Sequence, residues 1–214
     1  MQRFVSIALL GIALLAAPAA NAGFITTHET EMEAIFASNG LTLDVRYLPG
    51  AAVNDPLFLS LSTEAEFISL LSQPGIALSP TINLLFTDSL SWCGVSNPNF
   101  VGCAELPGNH GVVESLFAAS GLGDELVTHE VGHMFGLEHT GAATDLMYPF
   151  LSAGTALSAL EITTILASPL TQNDGVDFIE IQAFAVIPEP GTLVLVATGI
   201  AALALRRRRL VTHP

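Results

Sequence analysis

Lysine is absent from this 214-residue sequence, and basic residues are few. The six arginines are Arg3, Arg46 and four at 206–209, whereas every acidic residue except Glu189 lies between positions 23 and 187. The span 23–187 therefore carries 19 acids and one arginine, a formal charge of −18. Such a surface repels phosphate backbones, which excludes nucleic acids as partners. The charge leaves open a cationic substrate, bound Ca²⁺, or simply the solubility of an acidic exported protein.

Cysteine is also scarce. Cys93 and Cys103 enclose nine residues, GVSNPNFVG, and are the only two cysteines of the chain. The C-x-x-C pattern typical of cysteine-ligated zinc is missing, so metal ligation by this pair is the minor alternative. In an exported chain we expect the pair to form a disulfide that restrains a loop rich in Gly, Asn and Pro.

The N-terminus predicts export. Arg3 precedes an apolar run at 4–20, and the sequence Ala-Asn-Ala ends at position 22. A basic start, a short apolar core and a small-x-small site are typical of a secretory signal peptide. We therefore expect residues 1–22 to be removed, with an uncleaved N-terminal anchor as the alternative.

The C-terminus carries a second apolar run, 192–205, whose 14 residues fall short of the roughly 20 of a relaxed spanning helix. Pro-Glu-Pro at 188–190 precedes it and four arginines follow it, which by the positive-inside rule places the main domain outside. This segment, 188–214, resembles the PEP-CTERM sorting signal of Gram-negative bacteria. The resemblance implies a short transmembrane helix as a transient anchor in the inner membrane and cleavage by an exosortase. The mature protein would then be released or reach the cell surface or extracellular matrix; a plain single-helix anchor is the alternative.

The span 23–187 is long enough for one domain with its own core. Helices are predicted at 27–39, 63–71, 124–135 and 158–167. Their signals are Gly40 after the first, capping boxes at Thr63 and Ser158, and Asp124 as the N-cap of the third. Strands are predicted at 41–49, 81–88, 111–117 and 178–186. Because helices and strands interleave without strict βαβ regularity, the expected fold class is α+β.

The most specific pattern of the chain is HEVGHMFGLEHT, which begins at His129. His129 and His133 lie one helical turn apart, so their rings share a face. On a continued helix His139 would point away, but Gly136 can take the left-handed conformation that ends a helix and turns the chain back. Three imidazoles would then hold one Zn²⁺ and leave its fourth position open to water. Glu130, beside the first ligand, is expected to be the catalytic acid and base.

The extended pattern H-E-x-x-H-x-x-G-x-x-H is the metzincin signature, and the chain is similar to the metzincin zinc metallopeptidases in this region. Met147, in an LMYP sequence of the kind that matrix metallopeptidases have, is implied to be the Met-turn residue, an apolar floor below the zinc site. Gly102-Cys103-Ala104 is similar to the metzincin edge strand that holds the substrate in an extended form. The resemblance implies a zincin-like fold with a twisted mixed sheet, an active-site helix and a C-terminal helix.

These features predict a secreted zinc-dependent endopeptidase whose substrates are proteins or peptides. By the same resemblance, Pro149, Phe150 and Leu151 border the pocket for the residue after the scissile bond, which implies a preference for apolar side chains. The alternative is a non-catalytic zinc-containing protein of the cell surface or extracellular matrix, because such proteins share the sorting segment.

Two further features leave alternatives open. The Asn-Asp-Gly sequence that begins at Asn173 lacks the full pattern of a calcium loop, so a plain turn is favoured over a Ca²⁺ site. His110 lies in a Gly-flanked segment and is expected to be an exposed loop histidine, with a substrate or second-metal contact as the alternative.

Overall fold

A computed structural model describes residues 23–187 of the chain. The predicted signal peptide and the predicted sorting segment lie outside the described residues. Within 23–187 no helix combines the length and the apolar character needed to cross a membrane. The apolar run 192–205, which the sequence predicts to be a transmembrane helix, is not among the residues described.

The helices largely follow their sequence signals. Five α-helices occur in the described span: α1 Glu29–Ser38, α2 Glu64–Leu71, α3 Ser115–Ala118, α4 Gly123–Phe135 and α5 Ala159–Ala167. A 3-10 helix spans Pro56–Phe58. Both predicted capping boxes are present, at Thr63 and at Ser158. The prediction of Asp124 as an N-cap is wrong, since Leu122 holds that position and Asp124 lies in the first turn. There its charge still complements the positive end of the helix dipole.

The strands form one main sheet and two short pairs. Ten strands occur among residues 23–187: β1 Asp44–Val53, β2 Ser60–Leu61, β3 Ile82–Thr87, β4 Ser89–Leu90, β5 Trp92–Cys93, β6 Val95–Ser96, β7 Gly102–Ala104, β8 His110–Glu114, β9 Gln172–Asn173 and β10 Asp177–Val186. The main sheet has the order β1-β10-β3-β8-β7, and β9 pairs with β10. Strands β1, β10, β3 and β8 are parallel, whereas β7 and β9 run antiparallel to their partners. The predicted α+β fold with a twisted mixed sheet is confirmed.

Two strands differ from their predicted bounds because pairing decides where a strand ends. The second half of the predicted strand 111–117 is helical: Glu114 pairs with Thr87, the last residue of β3, and the chain then enters α3. Strand β1 begins later than predicted and extends to Val53, because β10 offers partners up to Val186 beyond an irregularity in the register.

Both faces of the sheet are buried. Alternate side chains of a strand point to opposite faces, and β10 shows this, since Ile181 and Ala183 join one core cluster while Phe184 and Val186 join the other. Helices α1, α4 and α5 pack on the first face, and α2 packs on the second. Helix α4 contacts β7 and β8, which places it against the β7 edge of the sheet.

Candidate metal centre

Helix α4 ends at Gly136, as its sequence predicts. Gly136 has φ = 102°, a left-handed conformation that glycine adopts at little cost. Its N–H donates to the carbonyl of His133 at 2.8 Å, and Leu137 N–H donates to the carbonyl of Gly132 at 3.0 Å. These two bonds are the Schellman pattern of helix termination. The chain therefore reverses direction before it reaches His139.

The reversal brings the three predicted histidines together. The Nε2 atom of His139 lies 3.3 Å from Nε2 of His129 and 3.1 Å from Nε2 of His133. His129 and His133 are 8% and 9% exposed, whereas His139 is exposed at the cleft surface. Within residues 23–187 this is the only group of three or more His, Cys, Asp or Glu side chains with metal-ligand spacing.

Backbone carbonyls fix the orientation of two rings. His129 Nδ1 lies 2.7 Å from the carbonyl oxygen of Leu146, and His133 Nδ1 lies 2.7 Å from that of Leu137. A carbonyl only accepts, so each Nδ1 carries the proton and each Nε2 presents a lone pair. Burial lowers the pKa of His129 to about 4 and also lowers the pKa of His133, so both rings stay neutral, the form that binds metal.

This donor set fits Zn²⁺. Nitrogen ligands at about 2.0–2.1 Å in a tetrahedral arrangement lie roughly 3.3 Å from one another. The two Nε2 separations of 3.1 and 3.3 Å agree with that spacing. The rings of His129 and His133 direct their Nε2 lone pairs toward Nε2 of His139, an arrangement that fits three ligands of one cation.

Glu130 lies in the same cleft without a partner. Its side chain is 5% exposed, and Oε2 is a buried atom that accepts no hydrogen bond within the described span. Burial raises the pKa of Glu130 to about 8 in the metal-free protein. Its carboxylate packs against Gly102 of β7, where an added Cβ would overlap it. An orphaned buried carboxylate beside three convergent imidazoles again fits a cation site.

Met147, which the resemblance implies to be the Met-turn residue, packs against Gly132 of α4. It is fully buried, and a Cβ added to Gly132 would come within 2.5 Å of its Sδ. The glycine between His129 and His133 therefore makes room for the methionine. The same turn supports the site through its backbone, since Thr140 N–H donates to the carbonyl of Met147 at 2.8 Å.

The predicted disulfide is present and borders the cleft. Cys93 and Cys103 are bonded, with a Cα–Cα distance of 5.6 Å. Cys103 is the central residue of β7 and points to the face of the sheet opposite Gly102 and Glu130. The bond therefore ties the short β5–β6 hairpin to the edge strand beside the metal centre.

Glu125 is a site residue that sequence patterns missed. It lies one turn before His129 on α4, is 3% exposed, and accepts hydrogen bonds from the backbone N–H groups of Ser152, Ala153 and Gly154 at 2.8–3.2 Å. This carboxylate joins the active-site helix to the loop after the Met-turn. An acid on a helix is ordinarily exposed, so nothing in the sequence marks this one.

Two secondary expectations have different outcomes: the one for His110 is wrong, and the one for the turn at Asn173 is confirmed. His110 is the first residue of β8, not an exposed loop histidine, and its Nδ1 lies 2.8 Å from Glu105 Oε2. The plain turn favoured at Asn173 is present: Asn173 Oδ1 accepts from Gly175 N–H. Asp174 binds Arg46 at 2.8 Å, so that carboxylate is engaged by an arginine.

A cleft of about 670 Å³ opens over the metal centre. Side chains of β7, the Met-turn and α4 contribute to its walls, together with Phe117 after β8. Most of the wall is apolar, and its histidine and glutamate members are His129, His133, His139, Glu114, Glu130 and Glu138. The cleft is large enough to hold several residues of an extended peptide.

Comparison with known families agrees with this geometry. Residues 121–164, which contain α4, all three histidines and Met147, match the family model described as matrixin. Residues 186–209 match the model described as the PEP-CTERM protein-sorting motif. The search of curated proteins found no match. The predicted resemblances to matrixin-like metzincins and to the PEP-CTERM signal are confirmed over these segments.

The two matches support a coarse functional assignment. The matrixin segment and the three-histidine cluster indicate a metallopeptidase with a zinc-type site. The sorting motif indicates export, cell-surface sorting in bacteria and recognition by an exosortase.

Proposed function

We propose that this chain, which combines a matrixin segment with a PEP-CTERM segment, is an exported zinc-dependent endopeptidase that hydrolyses peptide bonds. The observation that carries the proposal is the convergence of His129 and His133 on His139, at Nε2 separations of 3.3 and 3.1 Å, beside Glu130, whose Oε2 has no hydrogen-bond partner within residues 23–187. A purely structural metal site has no need of such a carboxylate.

The histidines would hold Zn²⁺ through their Nε2 atoms. When bound, zinc supplies Lewis-acid chemistry: it lowers the pKa of water toward about 7 and polarises a carbonyl. The carbonyls of Leu137 and Leu146 keep the His133 and His129 rings in the tautomer that ligation requires. Met147 and Gly132 pack the floor of the site without contributing a ligand.

Glu130 would move the proton. A cation bound beside Glu130 would favour its ionised form, and since Oε2 has no hydrogen-bond partner within residues 23–187, the carboxylate would be able to take a proton from the attacking water. Burial favours the acid form that results, which then gives the proton to the leaving amine. Gly102 keeps the edge strand close to this carboxylate, so an extended substrate along β7 would lie within its reach.

Export would depend on the predicted signal peptide and on the C-terminal sorting segment. We propose removal of residues 1–22 by signal peptidase, transient anchoring in the inner membrane of a Gram-negative bacterium through 188–214, and release near the Pro-Glu-Pro sequence by an exosortase. The motif match over 186–209 supports the last step. The folded unit would be 23–187.

The function is tested with Glu130→Gln in the full chain. The variant should keep one zinc per chain, because Glu130 is not a ligand, while peptide hydrolysis falls by about 10²–10⁴-fold. Zinc content and the cleavage of casein or a fluorogenic peptide are the measurements, and chelation should abolish the wild-type activity. Glu64→Gln, an exposed acid at the start of α2, is the control for an equal change in charge. A Glu130→Gln protein that retains full activity would contradict the mechanism. Zinc binding without any hydrolysis by the wild type would favour the non-catalytic surface or matrix protein.

A further inference from the structure

The cleft over the metal centre contains a carboxylate that the proposed mechanism does not use. Glu114 is the last residue of β8, is half-buried, and is one of the residues that line the same cleft as the three histidines. Apolar side chains line the wall with it, including Val101, Phe117, Leu126 and Leu151. The cleft therefore combines an apolar passage with an acid.

Glu114 is held in place through one oxygen. Leu90 N–H donates to Glu114 Oε1 at 2.7 Å, and within residues 23–187 Oε2 has no hydrogen-bond partner. The backbone bond fixes the carboxylate without neutralising it. One oxygen is thus anchored, and the other is available to a donor that enters the cleft.

No cation of the described span neutralises this acid. Arg46 is the sole lysine or arginine of 23–187, and it binds Asp44 at 2.6 Å and Asp174 at 2.8 Å. It lies on β1, the edge of the sheet opposite the β7 and β8 side. Burial raises the pKa of Glu114, and repulsion by the negative charge of Asp88 adds to the effect. A partly desolvated acid beside a like charge gains the most from a cation supplied by a ligand.

We propose that Glu114 is a specificity-determining residue that binds the ammonium or guanidinium of a lysine or arginine side chain in the substrate. This inference rests on the proposed endopeptidase function and narrows its substrate class to peptides with a basic residue near the scissile bond. The apolar stem of such a side chain packs along the wall while its charged end reaches Glu114, since long basic side chains bury their methylenes and keep the head polar. The apolar cleft wall that the resemblance implies is consistent with this proposal, because it would contact the stem of the side chain while Glu114 binds its charged end.

The test uses fluorogenic peptides whose other residues are uncharged. Each position from the third before to the third after the central bond is replaced, one at a time, by lysine, norleucine or glutamate. Norleucine has the lysine stem without the ammonium. Affinities are measured on the zinc-loaded Glu130→Gln full chain, so that binding is read without hydrolysis. At one position, lysine should bind at least about tenfold more tightly than norleucine, because a charged hydrogen bond contributes about 1.5–3 kcal/mol. Glutamate at that position should bind most weakly.

Adding Glu114→Gln should reduce the lysine-to-norleucine ratio to about one while leaving the norleucine affinity unchanged. The amide oxygen still accepts from Leu90 N–H, so the fold is retained, and thermal melting checks this. Glu64→Gln controls for the loss of one charge elsewhere and should keep the preference. Equal binding of the three peptides, undetectable binding of all of them, or an unchanged ratio in Glu114→Gln would overturn the inference. If lysine is preferred in binding but the wild type cleaves nothing, the specificity stands and the endopeptidase function fails.

Discussion

At the scale of single residues, Gly102 decides where the Glu130 carboxylate lies. A Cβ at residue 102 would overlap that carboxylate, and the flexible end of Glu130 is what would have to move. We therefore expect Gly102→Ala to lower kcat by about 10–100-fold, since a shift of about 1 Å at a reacting group costs rates of this order. Zinc content and melting temperature should change little. Gly141→Ala, whose Cβ would meet no atom within 4 Å, is the matched control. Wild-type turnover in Gly102→Ala would show that the position of Glu130 is not set by this contact.

Glu130 also gives the metal-free protein an unusual dependence on pH. Its folded pKa of about 8 lies above its ordinary 4.5, so the folded state holds the proton more tightly and loses stability as pH rises from 4.5 to 8. His129, with its pKa lowered from 6.5 to about 4, has the opposite effect between 4 and 6.5, where stability rises with pH. Below pH 6.5 the contributions of Glu130 and His129 to the pH dependence of stability have opposite signs. Above pH 6.5 only the contribution of Glu130 still changes with pH.

The pH range from 6.5 to 8 is therefore the range in which the effect of Glu130 on stability can be measured. In chelated protein, the free energy of unfolding of Glu130→Gln relative to wild type should increase by about 2 kcal/mol between pH 6.5 and pH 8. Denaturant melts at the two pH values give the difference. With zinc bound the gain should disappear, because the cation stabilises the carboxylate of the wild type. A difference that does not change with pH in chelated protein would mean that Glu130 is not buried as described.

At the scale of elements, Glu125 couples the active-site helix to the loop that follows the Met-turn. Its two oxygens accept from three successive backbone N–H groups, and Ala153 in that loop has a left-handed φ of 61°. A non-glycine residue in this conformation is strained and is kept there by its surroundings. The loop continues from Leu151 of the cleft wall, so the carboxylate holds the wall against α4.

Glu125→Gln should therefore cost about 1–3 kcal/mol of stability, because an amide NH₂ replaces one acceptor and leaves buried N–H groups unpaired. KM for peptides should rise more than kcat falls, since the wall shifts while Glu130 and the histidines remain. Denaturant melts and steady-state kinetics measure the two effects. The exposed Glu64→Gln should change stability by less than about 0.5 kcal/mol. If both substitutions have the same small effect, the carboxylate does not anchor the loop.

At the scale of the whole molecule, local signals were predictable and long-range ones were not. The bend at Gly136, the capping boxes and the meeting of three histidines depend on residues within about ten positions, where spacing and conformational preference decide the outcome. Strand β10 shows the limit. Its alternating pattern predicts a strand, yet only pairing with β1 and β3, each about 100 or more positions away in sequence, places it between these two strands in the sheet.

Contacts between distant elements escaped prediction for the same reason. The packing of Gly102 against Glu130 and the bonds of Glu125 to the 152–154 loop exist only once the sheet edge and α4 are assembled. Sequence spacing carries no information about them. The last strand thus completes a sheet whose far edge supports the metal centre, and the site depends on the entire fold although its ligands are local.

Zinc affinity tests the central claim most directly, because the proposed peptide hydrolysis requires three imidazoles on one ion. Competition with a chromogenic chelator should give one tight zinc per full-length chain, and His139→Ala should weaken it by at least about 100-fold, more than the loss of an outer-shell partner. His110 is a half-buried histidine that is hydrogen-bonded to Glu105, and the His110→Ala variant should bind zinc like the wild type. Unchanged zinc affinity in His139→Ala, or an equal loss in His110→Ala, would contradict the account.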